Sequence, residues 1–126
     1  MRIDTLVKLG NEQFKSKDYE NARLTYVLLD SLVTLHSGND SKLYADICYF
    51  RGTTCFRLRN SEEAYEYLTS AISKFKKNND TLSDNYEGSL DDLAKLLVEF
   101  GEFQEGEDMM LQLLKIRTQK YGPVNA

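Results

Sequence analysis

The 126-residue chain has no tryptophan, one proline, one histidine and two cysteines, and no tract of glycine or serine. Each shortage excludes something. Without a Pro/Gly/Ser-rich stretch there is no low-complexity linker to separate domains, and the length suits one domain, residues 1–126. A lone histidine, His36, at a helix end leaves no base for a convergent catalytic triad and no His-based metal site. Cys48 and Cys55 are seven residues apart on what reads as one helix, a Cα separation of about 10.5 Å, too far for a disulfide. They read as small core hydrophobes in a reducing, cytoplasmic compartment. No apolar run reaches the roughly 20 residues of a membrane span, and the opening Met1-Arg2-Ile3-Asp4 carries no expected secretory signal. The sequons at Asn39 and Asn79 are therefore read as chance. Positive charge is in deficit, with net charge -4 and pI near 5.0. That argues against nucleic acid or an anionic membrane as partner, since both reward clustered cations. Neither a P-loop nor a glycine-rich dinucleotide motif occurs, so no cofactor is expected.

What the chain does have is a repeat. Small residues return every 42 positions in two slots, Gly10, Gly52, Ala94 and Ala22, Ala64, Gly106. Apolar residues return to most of the others: Phe14, Phe56, Val98; Tyr26, Leu68, Met110; Leu29, Ala71, Leu113. A fixed period of this size means stacked supersecondary units, none able to bury its apolar face alone. Within each unit the apolar spacing is three and four, which is helical, and no long alternation suggests a strand. Breakers divide the chain into six predicted helices: Arg2 to Ser16, Asp18 to Leu35, Lys42 to Arg59, Asn60 to Lys77, Ser83 to Phe100, and one from Gly101-Glu102 to the stop at Tyr121-Gly122-Pro123. Asn60 with Glu63 has the spacing of a capping box. The expectation is three helical hairpins, with repeats at about 1–38, 39–80 and 81–122, in which Gly10 faces Ala22, Gly52 faces Ala64 and Ala94 faces Gly106. Leu24, Tyr26, Leu28, Leu32 and Leu35 surround much of the second helix, so it is expected to be buried on two sides.

These residues resemble the tetratricopeptide repeat. Leu9-Gly10, Phe14, Tyr19 and Ala22 with Tyr26 match its pattern, and Gly52, Phe56, Ala64 and Leu68 match again. The third unit lacks the glycine of its first helix. Its run from Leu93-Ala94 through Phe103 and Gly106 to Tyr121-Gly122-Pro123 is similar to the longer-period variety of kinesin light chains. The usual period is 34 residues, and helices about one turn longer account for the excess.

The resemblance implies an all-α, right-handed α–α superhelix, a solenoid of three hairpins and six helices. It also implies a non-enzymatic scaffold that binds a peptide or helix of a partner protein in a concave groove. Carried over position by position, the candidate groove residues are Asn11, Phe14 and Lys15, then Tyr49, Thr53, Phe56 and Arg57, then Asp91 and Lys95; Asp4, Val7, Asp46, Gly88, Val98 and Glu99 occupy further slots. Members that grip the acidic C-termini of heat-shock chaperones use several Lys, Arg and Asn residues in the groove. Asn11 matches, but the other slots hold Val7, Phe50, Gly88 and Asp92, and an aspartate in place of a cation would repel the ligand, so that role is not expected.

Glu87, Asp91, Asp92, Glu99, Glu102, Glu105, Glu107 and Asp108 are expected to form a solvated acidic face, opposite Arg51, Arg57, Arg59 and Lys74 to Lys77. The sixth helix is strongly apolar at Met109-Met110-Leu111 and Leu113-Leu114. A solenoid normally closes with a polar cap. The alternative reading is thus a segment of a longer solenoid or of an assembly, with a homo-oligomer formed through the terminal helices.

Overall fold

The structure, a computed structural model, describes residues 2–122. Among them are six helices and no strand: α1 Ile3–Lys15, α2 Tyr19–Ser37, α3 Lys42–Arg57, α4 Ser61–Lys77, α5 Asp84–Glu99 and α6 Phe103–Tyr121. They form three hairpins laid side by side. Pro123, part of the expected stop signal, lies outside the described residues.

The hairpin turns are copies of one another. Lys17, Arg59 and Gly101 have φ of 62°, 64° and 82°. Behind each, a backbone N–H closes the helix end: Asp18 to the Gln13 carbonyl, Asn60 to Cys55 and Glu102 to Leu97, all at 2.8–2.9 Å. This is the six-to-one closure of a left-handed C-terminal cap. It also removes the expected capping box. Asn60 sits at ψ 74 rather than in extended backbone, and its side chain makes no cap hydrogen bond. Glu63 instead accepts from the Cys55 thiol at 3.7 Å. Side-chain caps occur between hairpins, where Ser41 and Ser83 are extended and their Oγ atoms accept from Tyr44 N–H and Tyr86 N–H at 3.1 and 3.2 Å.

The small residues are buried as their recurrence implied, but the register is one turn different. A Cβ on Gly10 would lie 2.5 Å from the Tyr26 ring, and one on Gly52 would lie 2.7 Å from Leu68 Cγ. In the first two hairpins the glycine therefore faces the large residue four positions beyond the recurring alanine. In the third, a Cβ on Gly106 would lie 3.1 Å from Val98 Cγ2, again four positions beyond the expected residue, and 3.4 Å from the carbonyl of the expected partner Ala94.

The core forms two adjoining clusters. One, from α1 to α3, holds Leu6, Ala22, Tyr26, Leu29, Val33 and Ile47; the other, from α3 to α6, is centred on Leu68, Phe75, Leu90 and Leu96, and Tyr44 packs against both. Cys48 and Cys55 are free and buried, and burial pushes both thiols up to about 11, which makes them poor nucleophiles. The second helix departs from expectation. Leu24, Leu28 and Leu35 are 57%, 47% and 78% exposed. α1 and α3 cover the side carrying Tyr26, Leu29 and Val33, and among the described residues no element lies over the outer face.

Candidate functional site

The first helix of each hairpin carries the candidate residues. Five of them surround one hollow of about 220 Å³ between α1 and α3: Asn11, Phe14, Lys15, Tyr49 and Thr53, joined by Phe50 and by Tyr26 from α2. Its walls are fixed by internal contacts. The Tyr26 hydroxyl donates to Asn11 Oδ1 at 2.7 Å, and its ring stacks on Phe50 at 5.1 Å between centroids. The Phe14 ring meets Tyr19 edge-on at 5.1 Å. Tyr49 crosses towards α5, where a Cβ on Gly88 would lie 2.5 Å from its hydroxyl oxygen. Gly88 is thus the bed of Tyr49 and offers a ligand nothing of its own. Burial raises the Tyr49 hydroxyl, so it stays protonated and able to donate.

Phe56 and Arg57 line a neighbouring hollow of about 320 Å³ with Arg59, Ser61 and Glu99. The Arg57 guanidinium stands 5.9 Å from the Phe14 ring and bridges the two hollows. Asp91 and Lys95 line neither hollow; they pair with each other at 3.2 Å along α5. Thr53 is buried and its hydroxyl donates to Asp92 Oδ2 at 2.7 Å, so only its remaining surface faces the hollow.

Two carboxylates expected on a solvated acidic face are buried. Asp92 faces α3 and accepts the hydrogen bond of the Thr53 hydroxyl; Glu87 faces α6, where Lys120 Nζ lies 3.0 Å from Oε1 and Arg117 Nε 3.9 Å from Oε2. Arg51, expected on the opposing basic surface, reaches Asp30 at 2.6 Å in a largely buried pair. Helix-to-helix packing turns these positions inward, where Arg51 meets the opposite charge of Asp30, Glu87 that of Lys120, and Asp92 the neutral hydroxyl of Thr53.

Asp92 carries a testable consequence. Burial raises its carboxyl above the ordinary value, outweighing the Thr53 hydrogen bond that lowers it. The folded state therefore binds the proton more readily than the unfolded chain. The ionised form costs stability above the folded pKa, and that cost vanishes below the unfolded value. Asp92→Asn, which keeps an acceptor for Thr53, is expected to melt at higher temperature than wild type at pH 7. The two melting temperatures should converge as pH falls below about 4. Equal melting temperatures at both pH values would show that Asp92 is not desolvated.

Sequence reasoning missed Tyr26, Phe50, Arg59 and Ser61 in the hollows. Tyr26 had a signal: a glycine inside a helix, Gly10, asks what large group lies across from it. His36 is exposed in the last turn of α2, beside Arg2, Ile3, Asp4 and Leu32. Among the described residues, no helix is long and apolar enough to cross a membrane.

The model of the tetratricopeptide repeat family matches residues 45–73, most of α3, its turn and most of α4. Residues 45–73 are a tetratricopeptide repeat. No curated protein matches the chain in sequence. Among solved structures, the fold is similar to that of a Podosopora anserina kinesin light chain with nearly identical TPR-like repeats, at a TM-score of 0.69 and 13% identity over 94% of this chain. The chain spans 56% of that protein's length. The fold is accordingly an all-α tetratricopeptide solenoid, with α1, α3 and α5 as the first helices of its hairpins. Such repeats are typical non-enzymatic scaffolds that mediate protein–protein interaction.

Proposed function

We propose that this tetratricopeptide solenoid is a scaffold that grips an extended segment of a partner protein along α1 and α3. The observation that carries the reading is the hollow walled by Asn11, Phe14, Lys15, Tyr49 and Phe50, whose floor is already bonded within the fold. A receptor that needs no rearrangement loses little ordering entropy on binding. The hollow takes an apolar side chain, its Asn11 and Tyr49 offer polar contacts, and Lys15 and Arg57 favour acidic flanks. Asp91 and Lys95, paired with each other, sit beyond the hollows and would contribute only at the edge of a longer segment. The two buried free thiols support a reducing, cytoplasmic setting.

The test is selection of binders from a displayed random-peptide library, followed by affinity measurement on variants. Lys15→Glu with Arg57→Glu alters two exposed side chains and is expected to leave the helical content unchanged. It should lower affinity for selected acidic peptides at least about tenfold. Peptides that bind wild type and this variant equally would remove the groove assignment. A second reading, part of a larger assembly, is favoured by the open apolar face of α6.

A further inference from the structure

Helix α6 carries two faces. Gly106, Met109, Leu113 and Ile116 turn towards α5 and the core. Next to that face runs a second stripe of Phe103, Glu107, Met110, Leu114, Arg117 and Tyr121, spaced alternately four and three. On a wheel of about 100° per residue these six fall within about 80°. The spacing is that of a coiled-coil seam sustained over the whole helix. Its apolar members are exposed: Phe103 66%, Met110 46%, Leu114 50% and Tyr121 68%. Met110 and Leu114 line a hollow of about 320 Å³ with Glu107, Leu111, Leu113 and Arg117.

The repeat shows what this stripe is shaped for. One period earlier, the places of Met110 and Leu114 are taken by Leu68 and Ile72, which are 0% and 6% exposed in the core cluster that joins α4 to α5. Two periods earlier they are taken by Tyr26 and Asp30, again buried. The stripe is thus a helix-docking surface with its helix absent.

The charge pattern selects the occupant. The six residues are symmetric about position 112: Phe103 mirrors Tyr121, Glu107 mirrors Arg117, and Met110 mirrors Leu114. When α6 lies antiparallel on the α6 of a second copy, Glu107 meets Arg117, Met110 meets Leu114 and Phe103 meets Tyr121, each contact occurring twice. A parallel pairing would set Glu107 against Glu107 and Arg117 against Arg117. Head-to-tail stacking fares no better, because the surface that α1 would offer, by repeat equivalence with Ile47 and Thr54 of α3, carries Thr5 and Glu12, both exposed. Glu107 makes no ion pair among the described residues, and Arg117 is 48% exposed with only a long contact to Glu87. Both are available. We propose that the chain forms a two-fold homodimer through an antiparallel α6–α6 pair, with Glu107 and Arg117 setting its register.

Sedimentation equilibrium on the 126-residue chain tests this, with a monomer mass of 14.5 kDa. The expected result is a mass that approaches twice that value as concentration rises through the micromolar range, the weak end for an interface this small. Glu107→Arg alone and Arg117→Glu alone each create two like-charge contacts and should weaken the dimer about tenfold or more. Glu107→Arg combined with Arg117→Glu restores opposite charges and should bring the dimer back. Leu114→Asp, on an exposed position, should give a monomer with unchanged far-UV circular dichroism. Three outcomes overturn the proposal: a wild-type chain that stays monomeric, leaving the stripe for a helix of some other origin; a dimer that survives Leu114→Asp; or a double charge swap without rescue while the helical spectrum is intact.

Discussion

Arg51→Ala is expected to destabilise the fold by about 3–5 kcal/mol, the range for stranding one member of a buried ion pair. Arg51 Nη1 lies 2.6 Å from Asp30 Oδ2, and the two side chains are 19% and 12% exposed. Its guanidinium also stands 4.2 Å from the Tyr67 ring. One side chain on α3 therefore ties α2 to α4 across two hairpins. Alanine leaves the Asp30 carboxylate buried with only neutral hydroxyls as donors, that of Thr34 at 3.2 Å from Oδ1 and that of Tyr44. Urea denaturation should show a lower midpoint with little change in slope. Asp30→Asn combined with Arg51→Met removes both charges, and should recover most of the loss because the desolvation cost goes with them. A loss below about 1 kcal/mol for Arg51→Ala would mean that the pair behaves as a surface contact.

That pair marks the boundary of what was legible in the residues. Recurrence at a fixed interval shows where hairpins turn, and Lys17, Arg59 and Gly101 do share one backbone conformation. Side-chain caps are less legible: the one expected at Asn60 makes no cap hydrogen bond, and those present are at Ser41 and Ser83, between hairpins. Charge is different. A single arginine or aspartate reads as surface, because nothing local says which helix will lie across from it. Arg51, Asp92 and Glu87 are inside because their partners come from other helices, 21, 39 and 33 positions away for Asp30, Thr53 and Lys120. The leucines of α2 fail in the opposite sense. Leu24, Leu28 and Leu35 have the spacing of a packed face, but neighbours approach α2 from the other side. The same reasoning explains the groove. Asn11, Phe14 and Tyr49 are recognisable one helix at a time, whereas Tyr26 and Phe50 join them only through a stack between α2 and α3.

Gly52→Val is expected to cost about 3 kcal/mol, the upper end for forcing extra carbons into a filled site. Even a bare Cβ there would lie 2.7 Å from Leu68 Cγ, 2.8 Å from Cδ2 and 3.0 Å from the Leu68 backbone nitrogen. Leu68 is fully buried and cannot swing aside, and the backbone nitrogen belongs to the middle of α4. The helix-propensity gain from losing a glycine, about 0.5 kcal/mol or less for valine, does not offset this. Gly106, in the other recurring small-residue slot and in the third hairpin, has more room: its nearest atoms would be Val98 Cγ2 at 3.1 Å and the Ala94 carbonyl at 3.4 Å. Gly106→Ala is therefore expected within about 1 kcal/mol of wild type, the propensity gain balancing the tighter contact. Leu68→Ala introduced into Gly52→Val should restore only part of the loss, because it clears the leucine carbons and leaves the backbone where it was. Full restoration would place the whole conflict on the side chain. No restoration would place it on the approach of α3 to α4, and it is that approach which sets Phe56 and Arg57 beside Arg59 and Ser61 in the second hollow.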